Sequence, residues 1–298
     1  MTAVIDVQDL RKAYGDVHAV DGITFTVEAG EFFGILGPNG AGKTTALEIV
    51  EGLRQADGGT VSLLGQAPWP RNLSLLPRIG VQLQSSAFFE HLTTREQIGA
   101  FAALYDAPAG NVDAMLERVG LADKAGERTE KLSGGQKQRL SIACTLVHEP
   151  EVVFLDEPTA ALDPQARRNL WDLLRGMNDE GRTVILTTHH MDEAEVLCDR
   201  VAIMDHGQIL DLDSPAALIR DLDAPVRISV VRDSIGDPEA VPGVDQVDTD
   251  ASSMVLTTRE PAQVLGHLAQ HQALEGLQVK GATLEDVFLT LTGREYRA

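Results

Sequence analysis

Apolar and polar residues alternate over Ile5 to Leu10 and over Ile23 to Val27 (ITFTV), the period-two pattern of half-buried antiparallel strands. Glu31 to Leu36 (EFFGIL), Glu151 to Leu155 (EVVFL) and Thr183 to Thr187 (TVILT) are more continuously apolar, as buried central strands are. Thr60 to Leu64 predicts another short strand. Helices are expected from about Lys43 to Leu53, and over Leu92 to Ala107, Asn111 to Val119, Arg167 to Met177 and Met191 to Leu197. Val201 to Met204 and Gly207 to Asp211 read as a closing hairpin. Buried strands alternating with helices predict an α/β sheet. The character changes near Leu222. Strands are expected at Val226 to Val231, Ser253 to Thr257 and Leu277 to Lys280, and helices at Pro261 to Leu274 and Thr283 to Leu291. Thr283 fits the N-cap of the last helix and Gly293 its end. The chain thus divides into residues 1–221 and a smaller α+β unit, 222–298.

Composition narrows the picture. The 298 residues are 43% hydrophobic and 23% charged, ordinary for a globular protein. Acidic residues outnumber basic ones 45 to 25, a net charge of −20. Residues 221–298 hold 13 acidic and 6 basic side chains, so the excess is not an acidic tail. Such a charge argues against nucleic acid as a partner, and against attachment to an anionic membrane through basic residues. The longest hydrophobic run, Ala100 to Tyr105, has six residues, where a membrane span needs ~20. The N-terminus, MTAVIDVQDL, has no signal-peptide pattern. Cys144 and Cys198 form no metal-ligand spacing and suit a reducing, cytoplasmic setting.

The strongest chemical signal is Gly37-Pro38-Asn39-Gly40-Ala41-Gly42-Lys43-Thr44, which has the P-loop spacing between an apolar strand and a helix. Glycines let successive N–H groups curl toward phosphate oxygens, and the helix adds its positive end. Lys43 supplies a point charge for the β- and γ-phosphates, and the Thr44 hydroxyl suits Mg²⁺. Asp156 ends EVVFL, on the ligand side of an open α/β sheet, and fits the second magnesium-holding group. Glu157 beside it is the candidate to orient and polarise an attacking water. His189 follows TVILT on the same sheet edge and suits a role at the γ-phosphate; spacing leaves His190 open as an alternative. Further along, Leu132-Ser133-Gly134-Gly135-Gln136 opens a helix with capping-box spacing and exposes backbone N–H groups, a second anion-binding geometry. The chain has one P-loop, so one economical solution is that this second site contacts a nucleotide held by another subunit.

These segments, in this order, resemble the ATP-binding subunits of ABC transporters over roughly residues 3–220. The resemblance implies a P-loop NTPase fold with ABC-type antiparallel β and α-helical subdomains. It implies ATP and Mg²⁺ as ligands, with Thr45 joining residues 37–44 at the nucleotide. Tyr14, in RKAYG, matches the aromatic that stacks on adenine. Gln84, in RIGVQLQSS, matches the glutamine that senses Mg²⁺ and water; its offset to HLTTRE favours it over Gln82. Ser133, Gly134, Gly135 and Gln136 match the signature that faces the P-loop of a second copy in a head-to-tail dimer. Ala161-Leu162-Asp163 matches the loop linking the two sites, with Ala161 where the family usually has Ser or Gly. His189 matches the switch histidine, which decides it over His190. Asp213, in GQILDLDSP, stands where similar proteins carry glycine and puts the local turn in question.

Two copies sandwiching two nucleotides, and a separate transmembrane permease, are the implied partners. The permease would hold the chain at the cytoplasmic face of the membrane, with Ser85 to Leu92, including Phe88 and Phe89, as candidate docking surface. The tail ATLEDVFLTLTGRE resembles the drug- and lipid-exporter branch, which includes antibiotic self-resistance pumps. An importer ATPase with a regulatory C-terminal unit is the alternative. A soluble ABC ATPase of DNA repair or translation fits less well with one P-loop, one signature and a charge of −20. His267 and His271, spaced i, i+4, read as a solvated helix face.

Overall fold

The computed structural model describes residues 3–82, 88–89, 91–160, 162–235, 238–250 and 252–293. The N-terminal alternation forms a hairpin of β1 (Ala3–Tyr14) and β2 (Val17–Glu28), which buries Ile5, Val7 and Leu10 against Ile23, Phe25 and Val27. Both strands are longer than the alternation predicts. A register shift between Val7 and Leu10, with Asp9 at φ 45°, lets pairing continue across the break in pattern.

The continuous apolar runs become β3 (Phe32–Leu36), later β6 (Val152–Asp156) and β7 (Thr183–Thr188), buried at every position. After β3 comes α1 (Lys43–Val50), then β4 (Gly58–Leu63), which completes a three-stranded sheet in the order β2-β1-β4. α1 stops short of Leu53 because Gly52 turns the chain at φ 76°, where a Cβ would lie 2.5 Å from the Pro68 carbonyl oxygen. A further strand, β5 (Ile79–Gln82), was not expected from the sequence. A helical insert of α2 (Thr94–Leu104), α3 (Gly110–Arg118) and α4 (Gly134–Leu146) separates β5 from β6.

α5 (Pro164–Asp179) links β6 to β7, and α6 (Met191–Leu197) links β7 to β8 (Arg200–Asp205). β9 (Gln208–Asp213) turns back on β8, giving a six-stranded sheet in the order β5-β6-β7-β3-β8-β9, parallel except for β9. Asp213 ends β9 in register with Val201, its carboxylate accepting from Ser214 N at 2.6 Å.

Compact units divide at Pro215 and Ala216, whereas the sequence reading ends the first unit at residue 221. The second unit takes in most of an unexpected short helix, α7 (Pro215–Asp221). Its sheet is antiparallel: β10 (Val226–Val231), β11 (Gln246–Thr249), β12 (Ser253–Thr258) and β13 (Gln278–Lys280) lie in the order β11-β12-β10-β13. α8 (Pro261–Gln270) buries Val264 and Leu268 on a core with Ile228 and Leu256. It ends before Leu274 because Gln272 enters the left-handed region and Ala273 N closes onto Leu268 O at 2.9 Å. α9 (Leu284–Thr292) is capped by Thr283 with Asp286 and ends on Gly293 at φ 64°.

Candidate functional site

Three neighbouring parallel strands, β6, β7 and β3, bring their C-terminal ends to one edge of the six-stranded sheet. That edge is where open α/β sheets hold ligands. β3 leads into the glycine loop and α1, β6 ends on Asp156 and Glu157, and β7 leads into His189.

The loop requires glycine. Gly42 has φ 102°, and a Cβ there would lie 2.0 Å from the Ala19 carbonyl oxygen. A Cβ on Gly37 would lie 2.1 Å from the Met204 carbonyl oxygen. Gly42, the N-cap of α1, has no side chain with which to bond the first N–H groups at the helix's positive end. That end opens on a cavity of about 400 Å³ lined by Tyr14, Asn39, Gly40, Lys43, Thr44, Thr45 and Glu157 among others. Backbone N–H groups at a helix start, facing an open cavity, are an anion site.

Lys43 is buried, and its Nζ donates to the carbonyls of Gly37 and Pro38 at 2.9 and 3.2 Å. It pairs with Glu157 Oε1 at 3.3 Å. Burial pulls the Lys43 pKa down, and Glu157 and Asp156 oppose that. The other Glu157 oxygen lies 3.4 Å from His189 Nδ1. His190 instead anchors its N–H on Thr188 Oγ1 at 2.9 Å. Glu157 is itself left-handed at φ 47°, a conformation that costs a non-glycine residue energy. It is held there by its N–H, which donates to both the carbonyl and the hydroxyl of Thr187 at 3.1 Å.

Asp156 is buried, with Thr44 Oγ1 at 3.1 Å from each carboxylate oxygen and the Thr187 hydroxyl on Oδ1. Burial raises its pKa, while Thr187 and Thr44 hold it down. A hydroxyl and a carboxylate side by side are hard oxygen donors, and they fit Mg²⁺. Gln84, the third expected donor, and Ala161 lie outside the described residues. Tyr14 stands half-exposed at the cavity rim, with Lys12 Nζ and the Arg54 guanidinium 5.6 and 5.5 Å from its ring centre.

The second anion geometry is also present. Ser133 caps α4, accepting from Gln136 N at 3.3 Å, while Gln136 Oε1 accepts from Ser133 N at 2.9 Å. Ser133 and Gly134 are exposed, and Gly135 is half-buried. With Leu162 and Asp163 they line a cavity of about 470 Å³. Asp163 caps α5, accepting from Gln165 N and Ala166 N at 3.0 and 2.9 Å. The two cavities share no lining residue, so Lys43 and Ser133 open onto separate depressions of one chain.

Sequence reasoning missed Thr187, which holds both carboxylate residues; a threonine near the end of a buried strand beside them was its only signal. Of the expected docking segment, Phe88 is half-buried and Phe89 is 64% exposed, while residues 85–87 and 90 lie outside the described residues. His267 and His271 stack with ring centres 4.1 Å apart. No described helix is long and apolar enough to cross a membrane.

The family model described as ABC transporter matches residues 20–160. The Nod factor export ATP-binding protein I of Rhizobium sp. (strain N33) is 37% identical over 98% of this chain and 97% of its own. That of Paraburkholderia xenovorans (strain LB400) is 39% identical over 98% of each. Among solved structures, cbiO1 from Clostridium perfringens, part of the ABC transporter complex cbiONQ, is similar with a TM-score of 0.67 and 30% identity, covering 75% of this chain and 95% of that one. An ATP-binding subunit of an ABC transporter gives a TM-score of 0.67 at 25% identity, over 74% and 93%.

Proposed function

The chain belongs to the ATP-binding subunits of ABC transporters, and on that premise we propose that it hydrolyses ATP to power export through a separate membrane protein. The observation that carries the reading is the linked set Lys43, Glu157 and His189 beside the Thr44–Asp156 donor pair. Export is favoured because relatives named for Nod factor export match 98% of the chain, so the match includes the second compact unit. The cargo we infer is hydrophobic or lipid-like, as in the exporters that the C-terminal tail resembles.

The residues divide the work. Loop amides and Lys43 bind the phosphates, and Tyr14 stacks on the adenine. Phosphate draws Lys43 away from Glu157, whose Oε1 then accepts a proton from the attacking water. His189 keeps hold of Oε2, so the carboxylate stays aimed. Thr44 and Asp156 would hold Mg²⁺, and Gln84 is the further donor that the family resemblance implies; when bound, the ion would offset the charge of the phosphate oxygens. Ser133 and Gly135 of a second copy complete the site, and Asp163 joins the two sites of the pair. Closure with ATP and opening after hydrolysis give the two states a pump needs. Exposed Phe89 forms part of the surface offered to the permease, which holds the chain at the membrane.

Purified protein carrying Glu157→Gln is expected to bind ATP but lose turnover by about 10²- to 10⁴-fold, the usual worth of a general base. Undiminished steady-state hydrolysis by that variant contradicts the reading.

A further inference from the structure

Behind the site, Glu193 of α6 is fully buried. The Trp171 N–H of α5 donates to its Oε1 at 3.2 Å. The Thr188 and Thr159 side chains lie beside the same carboxyl group and hold its pKa down, while Oε2 has no hydrogen-bond partner among the described residues. These neighbours come from separate segments. Thr188 directly precedes His189, and its carbonyl accepts from Gly37 N at 3.2 Å. Thr159 lies in the turn after Glu157, where Ala160 N returns to Glu157 O at 3.1 Å. Trp171 sits two turns into the helix that Asp163 caps. Glu193 does not line the cavity at Lys43, so it is not placed to touch nucleotide.

We propose that Glu193 is a positioning residue for hydrolysis, tying the His189 segment to the stretch that runs from Glu157 to the Asp163 helix. This rests on the ATPase reading above. A carboxyl is a poor choice for packing alone: burial pushes its pKa up, and Trp171, Thr188 and Thr159 only partly offset this. An apolar side chain would fill the space without that cost. What the acceptor adds is a fixed link from α5, which follows Asp163, to α6, which follows His189, and hydrolysis depends on it because Glu157 and His189 must meet across the gap.

The test compares wild type with Glu193→Leu, Glu193→Gln and Trp171→Phe, measuring steady-state ATP turnover and binding of a fluorescent ATP analogue. Glu193→Leu keeps the volume and removes the acceptor; kcat is expected to fall about 10- to 100-fold, the scale of a small misplacement of reacting groups. Analogue affinity should stay within about twofold, the split expected when only the transition state is affected. Glu193→Gln keeps an acceptor for the indole and should recover most of the lost kcat. Trp171→Phe keeps the ring, loses the N–H, and should lower kcat in the same direction by less. Wild-type kcat in Glu193→Leu, an equal loss of affinity, or a Gln variant no better than Leu overturns the proposal. If Glu193→Leu does not fold, unchanged kcat in Trp171→Phe overturns it. A wild type that does not hydrolyse ATP overturns the ATPase reading itself, whereas an active wild type with unaffected variants removes only the role of Glu193.

Discussion

Asp156 shows what the site costs the fold. Burial holds its carboxyl above the usual range, so the folded chain binds that proton more tightly than the unfolded chain. Its contribution to stability is fullest below the unfolded pKa of about 4. It is lost as pH rises through the folded value. Asp156→Asn is therefore expected to abolish hydrolysis and yet raise the melting temperature of nucleotide-free protein at pH 7.5, with the gain shrinking toward pH 4. A melting temperature lower than wild type at pH 7.5 would contradict this. The residues in this centre were readable where local pattern alone sets their place: Lys43 and Thr44 in a glycine loop, Asp156 and Glu157 at a strand end, His189 past another. Glu193 and Glu51 were not. Within MDEAE a buried glutamate looks like one more acid on a short helix, and only the packing of Trp171 against it shows otherwise. Glu51 is buried at the end of α1 with no hydrogen-bond partner on either oxygen among the described residues, which no spacing announces.

Among the elements, capping separates stability from function. α2 and α4 both start with a capping box, Thr93 with Glu96 and Ser133 with Gln136. Only the second lines the cavity with Asp163. Thr93→Ala and Ser133→Ala are each expected to cost about 0.5–2 kcal/mol of stability, the usual worth of an N-cap. Hydrolysis should survive the first and fall in the second; urea unfolding and turnover on the same samples check both. Equal turnover in the two variants would mean that Ser133 is only a cap. Elements were legible where their pattern was long or closed by clear chemistry, as with α6 and with Thr283 at the start of α9. β5 escaped because IGVQ is four residues long and is a strand only through pairing with β6. α8 is shorter than its apolar spacing predicts, because that spacing runs on past Gln272, where the backbone has already turned.

At the scale of the whole molecule, the charge of −20 argues against a phosphate backbone as a broad partner but not against phosphate, since the loop amides and Lys43 act locally. In the proposed pair two copies carry twice that charge, which would oppose their contact until nucleotide bridges it; physiological salt would confine this to about 8 Å around the interface. The Lys43 cavity and the Ser133 cavity lie apart on one chain. In the proposed pair each working site therefore draws its two halves from different copies. Mixing two inactive variants tests this most directly. Lys43→Ala removes the phosphate-binding half. Gly135→Asp blocks the other half, at a position where a Cβ meets only ordinary contacts, at 3.5 Å with Ala166 and 3.7 Å with Leu162, so the chain itself should still fold. In a mixed head-to-tail pair both defects fall in one site and the other is intact. Each variant alone should fail to hydrolyse ATP, and the equal mixture should recover up to about a quarter of wild-type turnover, since half of random pairs are mixed. A mixture as inactive as its components would contradict the shared site.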